Sequence, residues 1–97
     1  VMRDLPDILS ILKENENRLK KKYHLKSIEI FGSMARQDFR KESDIDILVD
    51  FEKPIGIEFI DLANELEELL NQKVDLVSNR GIKPKYYKAI EKDLTNV

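Results

Sequence analysis

The chain has 97 residues, 41% hydrophobic and 37% charged, with a formal net charge of −2, so one compact domain spanning 1–97 is expected and two are not. There is no cysteine and only one histidine, His24, which excludes disulfides, thiolate metal sites and thiol nucleophiles and leaves too few imidazoles for a multi-histidine zinc site; with His24 in a turn ending a helix, a Ser-His-Asp triad is not expected. The slight negative charge gives no bulk attraction to a phosphate backbone, so direct nucleic-acid binding is not expected.

In chain order, Asp4 can cap a helix that carries Pro6 in its first turn. Leu5, Ile8, Leu12, Leu19 and Tyr23 then recur at roughly helical spacing. Lys20-Lys21-Lys22 fits the solvated end of that helix, where cations suit the dipole, better than a binding patch. His24 falls in the turn that ends it. Lys26 to Phe31 reads as a strand stopping at Gly32, and Ser33 to about Gln37 as a short helix. Phe39 to Ser43, including Arg40 and Lys41, reads as a polar loop.

Asp44 to Phe51 is a strand with period-2 logic. Ile45, Ile47, Val49 and Phe51 share the face that must lie on the core. Asp44, Asp46, Leu48 and Asp50 share the other. Lys53-Pro54-Ile55-Gly56 breaks the pattern. Phe59, Leu62, Ala63, Leu66, Leu69 and Leu70 mark an amphipathic helix. Val74 to Val77 is a third strand, closed by Ser78-Asn79-Arg80-Gly81. Pro84 opens a last helix expected to carry Tyr87, Ile90 and Leu94 on one side. The order αβαβαβα implies an α/β (α+β) fold with a mixed three-stranded sheet flanked by helices.

The chemistry concentrates between Gly32 and Asp46. A Gly-Ser turn from strand into helix can present backbone N–H groups to a phosphate. After ten intervening residues beyond Ser33, Asp44 and Asp46 lie at i and i+2 at a strand entrance, on one face and about 7 Å apart. Two such carboxylates can converge on a hard cation, and Mg²⁺ favours a few carboxylates completed by phosphate oxygens and water. A lone Asp-x-Asp is more often ordinary surface; the Gly-Ser turn at this spacing favours the metal. Asp75, sharing its strand face with Val77, is the natural third carboxylate if its strand neighbours Asp44–Phe51. Asp50 lies further along, beyond Leu48, and reads as surface or capping.

Ser33 can serve as a helix N-cap, as a phosphate ligand, or as both. Arg36, three residues on, can pair with phosphate, or with Asp38 or Glu42.

At Gly32-Ser33, Asp44-Ile45-Asp46 and Asp75 the chain resembles the DNA polymerase β-like nucleotidyltransferase superfamily. Met34-Ala35-Arg36, Ser43 to Phe51 and Ile82-Lys83-Pro84 are similar to its minimal nucleotidyltransferase (MNT) group over nearly the whole chain. Gln37 departs from it, standing where glycine is more usual.

The resemblance implies the polymerase β-like fold and Mg²⁺-dependent transfer of AMP from ATP to a hydroxyl, with release of pyrophosphate. It implies two Mg²⁺ ions on Asp44, Asp46 and Asp75, with Asp75 helping to deprotonate the acceptor. Gly32, Ser33 and Arg36 would hold the nucleotide. It also implies a partner, a HEPN ribonuclease toxin whose tyrosine receives AMP, so that the chain acts as an antitoxin. Two other readings stay open: an antitoxin that only binds and masks, and transfer to a small molecule with a partner subunit supplying the acceptor site. With no apolar stretch long enough to cross a membrane, a cytoplasmic protein without membrane contact is expected.

Overall fold

The computed structural model describes residues 4–40 and 42–97; Lys41, expected in the polar loop, lies outside them. Helix α1 (Leu5–Tyr23) starts at the expected cap. The Asp4 carboxylate accepts from the Asp7 N–H at 3.1 Å while the Asp7 side chain accepts from the Asp4 N–H at 3.3 Å, so two first-turn donors are satisfied reciprocally. His24 ends the helix in a left-handed conformation, φ 55°. Strand β1 (Leu25–Phe31) runs straight into α2 (Gly32–Arg36), and β2 (Ile45–Phe51) follows the polar loop. Helix α3 (Glu58–Leu70), β3 (Val74–Ser78) and α4 (Pro84–Ile90) complete the expected series.

The sheet has four strands rather than three, in the order β3-β2-β1-β4. Helix α4 stops at Ile90, a 3-10 turn takes up Glu91–Asp93, and β4 (Thr95–Asn96) adds to the free edge of β1. Leu94, expected on the helix face, is instead extended, φ −60° and ψ 125°. A strand of two residues is too short to show alternation, so the periodicity that marks β2 had nothing to act on.

Strands β1 and β2 are antiparallel, and β2 and β3 are parallel, joined across α3. One sheet face carries Ile28, Ile30, Ile45, Ile47, Val49 and Phe51 against Ile8, Leu12 and Leu19 of α1 and Leu62, Leu66 and Leu70 of α3. All of these are buried, each side chain contributing about 1.5–3 kcal/mol by leaving water. Val74 and Leu76 pack against the same core from β3. The opposite face is only partly covered. There Phe31 and Leu48 are buried, and Tyr86 of α4 stands edge-on to Phe31, ring centroids 6.5 Å apart. Among the described residues no helix is long and apolar enough to cross a membrane.

Glu65 locks α3 to α1. It accepts from Tyr23 Oη at 2.6 Å and Lys22 Nζ at 3.0 Å, and it pairs with the Arg18 guanidinium. Partial burial alone would raise its pKa, but bonds from Tyr23, Arg18 and Lys22 pull it down to about 2. A depressed carboxylate stabilises the fold above its unfolded pKa, and the contribution is lost as pH falls from 4.5 towards about 2. Glu65→Gln should therefore destabilise by about 1–2 kcal/mol at pH 7. Urea melts of variant and native chain should converge as pH is lowered through that window.

Candidate active site

Asp46 and Asp75 are partners in the parallel β2–β3 register. The β strand period puts both side chains on the face away from the main core, about 4.8 Å apart from strand to strand. They lie within hydrogen-bonding reach of each other, and Asp44 is close enough to add repulsion. Burial first, then Asp75, then Asp44, push the Asp46 carboxyl up to about 6, with Arg36 opposing.

The turn into α2 meets this cluster directly. Gly32 has φ +70°, and a Cβ built there would collide with Asp46 Oδ2 and lie 3.0 Å from its Cγ. Only glycine lets the turn sit over that carboxylate. No side chain caps α2, which leaves its first N–H groups free to meet an anion. Ser33 lies inside the first turn rather than at the N-cap, which is Phe31, so the capping role considered from sequence is not the one it has.

These residues line an open cleft of about 510 Å³. Gly32, Ser33, Arg36, Asp44, Asp46 and Asp75, all singled out from sequence, border it together. Asp50 does not; it stands opposite Ser27 on β1 and adds to the raised pKa of half-buried Glu29. Asp93 borders the same cleft without any mark in the sequence. Arg36 Nη1 donates to Asp93 Oδ2 at 3.1 Å and Nε to Asp38 Oδ2 at 3.4 Å, so Asp38 is the anticipated partner found, whereas Glu42 is not bonded to it. No local signal joins Arg36 to a residue 57 positions away. Tyr86 is likewise unmarked in the sequence. Burial, then the charges of Asp75 and Asp46, push its phenol up, so it stands beside the cluster.

Among the described residues no group of three or more His, Cys, Asp or Glu side chains is placed to hold a metal ion by itself. Two carboxylates paired across β2 and β3, a third nearby and a glycine-lined approach can give part of the shell of a hard cation that takes its remaining ligands from phosphate and water.

The family model described as polymerase beta, nucleotidyltransferase, matches residues 9–94. The chain belongs to this nucleotidyltransferase family. A candidate protein adenylyltransferase of Methanocaldococcus jannaschii, MJ1217, is 46% identical over 95 residues, covering 96% of this chain and 97% of that one. The protein adenylyltransferase MntA of Thermococcus cleftensis is 37% identical, covering 99% and 98%. This chain is an enzyme of the same nucleotidyltransferase kind.

Among solved structures, a candidate minimal nucleotidyltransferase superposes with TM-score 0.82 at 31% identity, covering 98% of this chain and 97% of that one. A toxin–antitoxin complex with AMP-PNP gives TM-score 0.73 at 25% identity, covering 87% and 70%. A tri-AMPylated Shewanella oneidensis HEPN toxin in complex with MNT antitoxin gives 0.66 at 23%, covering 90% and 69%, a likeness of fold.

Gln37 also finds its explanation here. It closes α2 with φ 64°, its N–H reaching Met34 O at 3.2 Å. A side chain is strained in that region, which is why glycine suits the position. Gln37→Gly should stabilise by about 0.5–1 kcal/mol, read as a raised Tm.

A second expectation concerns Asp46. Its folded pKa of about 6 lies above the ordinary 3.8, so without metal its contribution to stability falls as pH rises through that interval and stays unfavourable above it. Asp46→Asn should raise the metal-free Tm at pH 7.5, and the gain should vanish below about pH 4.

Proposed function

We propose that this chain transfers AMP from ATP to a tyrosine hydroxyl of a HEPN-type ribonuclease toxin, in the presence of Mg²⁺, and so acts as its antitoxin. The observation that carries the reading is the side-by-side pair Asp46–Asp75 under the Gly32 turn. Support comes from the relatives named as protein adenylyltransferases and from neighbours that are toxin–antitoxin complexes, one with AMP-PNP and one with an AMPylated toxin.

In this reading Gly32 and Ser33 hold the β and γ phosphates through backbone N–H groups and the serine hydroxyl. Arg36 adds charge at the same end, leaving Asp38 or Asp93 to do so. Asp44, Asp46 and Asp75 would hold the metal. Mg²⁺, as two ions, would neutralise the triphosphate there and acidify the acceptor hydroxyl. Asp75 accepts the hydroxyl proton as the oxygen attacks the α-phosphorus. The bond from that phosphorus to the bridging oxygen breaks in line, and pyrophosphate leaves. The carboxylates do most of their work by positioning and charge neutralisation.

The test is incubation with Mg²⁺, α-labelled ATP and a HEPN-type protein, taken from the neighbouring gene where one encodes it, followed by intact mass. One or more AMP units should appear on a tyrosine of the partner. Asp44→Ala and Asp46→Ala should abolish them, and Asp50→Ala should largely spare them. Inhibition of the partner that persists in Asp46→Ala, with no adduct from the native pair, would show masking instead of catalysis.

A further inference from the structure

From Arg80 to Lys92 the chain carries Arg80, Lys83, Lys85, Lys88 and Lys92 against one acid, Glu91. All five cations are exposed. Among the described residues none of them is in an ion pair, whereas Lys13, Arg18, Lys20, Lys22 and Arg36 each meet a carboxylate. In a chain of net charge −2, this is a local reversal of sign.

The stretch borders a second groove, of about 390 Å³. Val77, Ile82 and Tyr86 give it apolar walls, and Arg80 and Lys83 add charge. Tyr86 is 43% exposed, one of the few large apolar side chains left open. The groove adjoins the cleft. Val77 lies two residues after Asp75 on the same face of β3, about 7 Å along the strand. Tyr86 packs against Phe31, which borders the cleft.

An acceptor hydroxyl entering a cluster of carboxylates brings little binding energy of its own, so docking must come from outside that cluster. Building on the AMP-transfer reading above, we propose that this groove docks an acidic segment of the acceptor protein. An apolar side chain of the segment sits between Val77, Ile82 and Tyr86, and its carboxylates meet Lys83 and Arg80. The hydroxyl then lies about two extended residues away, level with Asp75. A protein fits better than a nucleic acid. The walls are apolar, and a phosphate backbone leaving the groove would run beside Asp44, Asp46 and Asp75.

The test uses a fluorescent synthetic peptide with a tyrosine two residues from a leucine flanked by glutamates, and a counterpart with lysines for glutamates. Anisotropy is read with the native chain and with Lys83→Glu/Lys85→Glu. Arg80 is left intact because its Nε donates to the Phe51 carbonyl at 3.4 Å. The acidic peptide should bind about tenfold more tightly than the basic one, lose affinity with salt, and lose about tenfold on charge reversal. Tyr86→Ala should weaken it with unchanged ATP affinity.

In AMP transfer, charge reversal should raise KM for the acidic peptide about tenfold and leave kcat and KM for ATP unchanged. Equal binding of the two peptides overturns the proposal. So does charge reversal that weakens ATP instead of peptide, or displacement of the peptide by a single-stranded RNA at lower concentration. Groove-dependent peptide binding without any transfer would keep the docking site and remove the AMP-transfer reading. Transfer to the partner that ignores charge reversal would do the opposite.

Discussion

The structure turns on one carboxylate. Asp46 is fixed on β2 with Gly32 pressed against it and Asp75 beside it. Its burial and its like-charged neighbours both act against the ionised form. An arrangement of this kind persists only where other contacts over-determine the backbone. Here β1 and β2 are bonded along almost their whole length, and their inner side chains are sealed under α1 and α3.

Alternation along β2 separates those two duties. Ile45, Ile47 and Val49 point into the core and hold the strand in place. Asp46, one residue out of phase, points the other way and is carried rigidly by them. A one-residue slip of β2 would bury the acid and expose the isoleucines, so the hydrophobic pattern that makes the fold also fixes the register of the site. Glu65 extends the same logic to the helices. Bonded by Tyr23 and Lys22 and paired with Arg18, it holds the helical layer that covers the sheet.

The second face is left lightly covered. Helix α4 has no fully buried residue, and β4 is two residues long. The segment is nonetheless tied back. Val97 N–H donates to Ile28 O at 3.2 Å, Tyr86 leans on Phe31, and Asp93 holds Arg36. Those attachments shape two adjoining grooves of opposite character: one lined by carboxylates, one apolar with basic residues beside it. Proximity of an acidic cleft to a basic groove is a property of this face of the sheet and of no single element.

The local features were legible in the sequence because each rests on neighbours in the chain. The Asp4 cap, the alternation of Ile45 to Phe51 and the helical stripe of Leu62, Leu66 and Leu70 are all short-range patterns, and the structure repeats them. The Gly-Ser turn and Asp-x-Asp pair were legible because the chemistry of phosphate and metal demands those residue types close together. The family followed from the same residues. What the sequence left open depends on strand pairing. Asp75 joins Asp46 only because β3 lies parallel to β2 in that register. Asp93 reaches Arg36 only because a 3-10 turn folds the C-terminal segment back across β1, and a two-residue edge strand carries no periodicity to announce it. Even Gln37, noticed from sequence as an oddity, needed its φ of 64° to show that the backbone there asks for glycine.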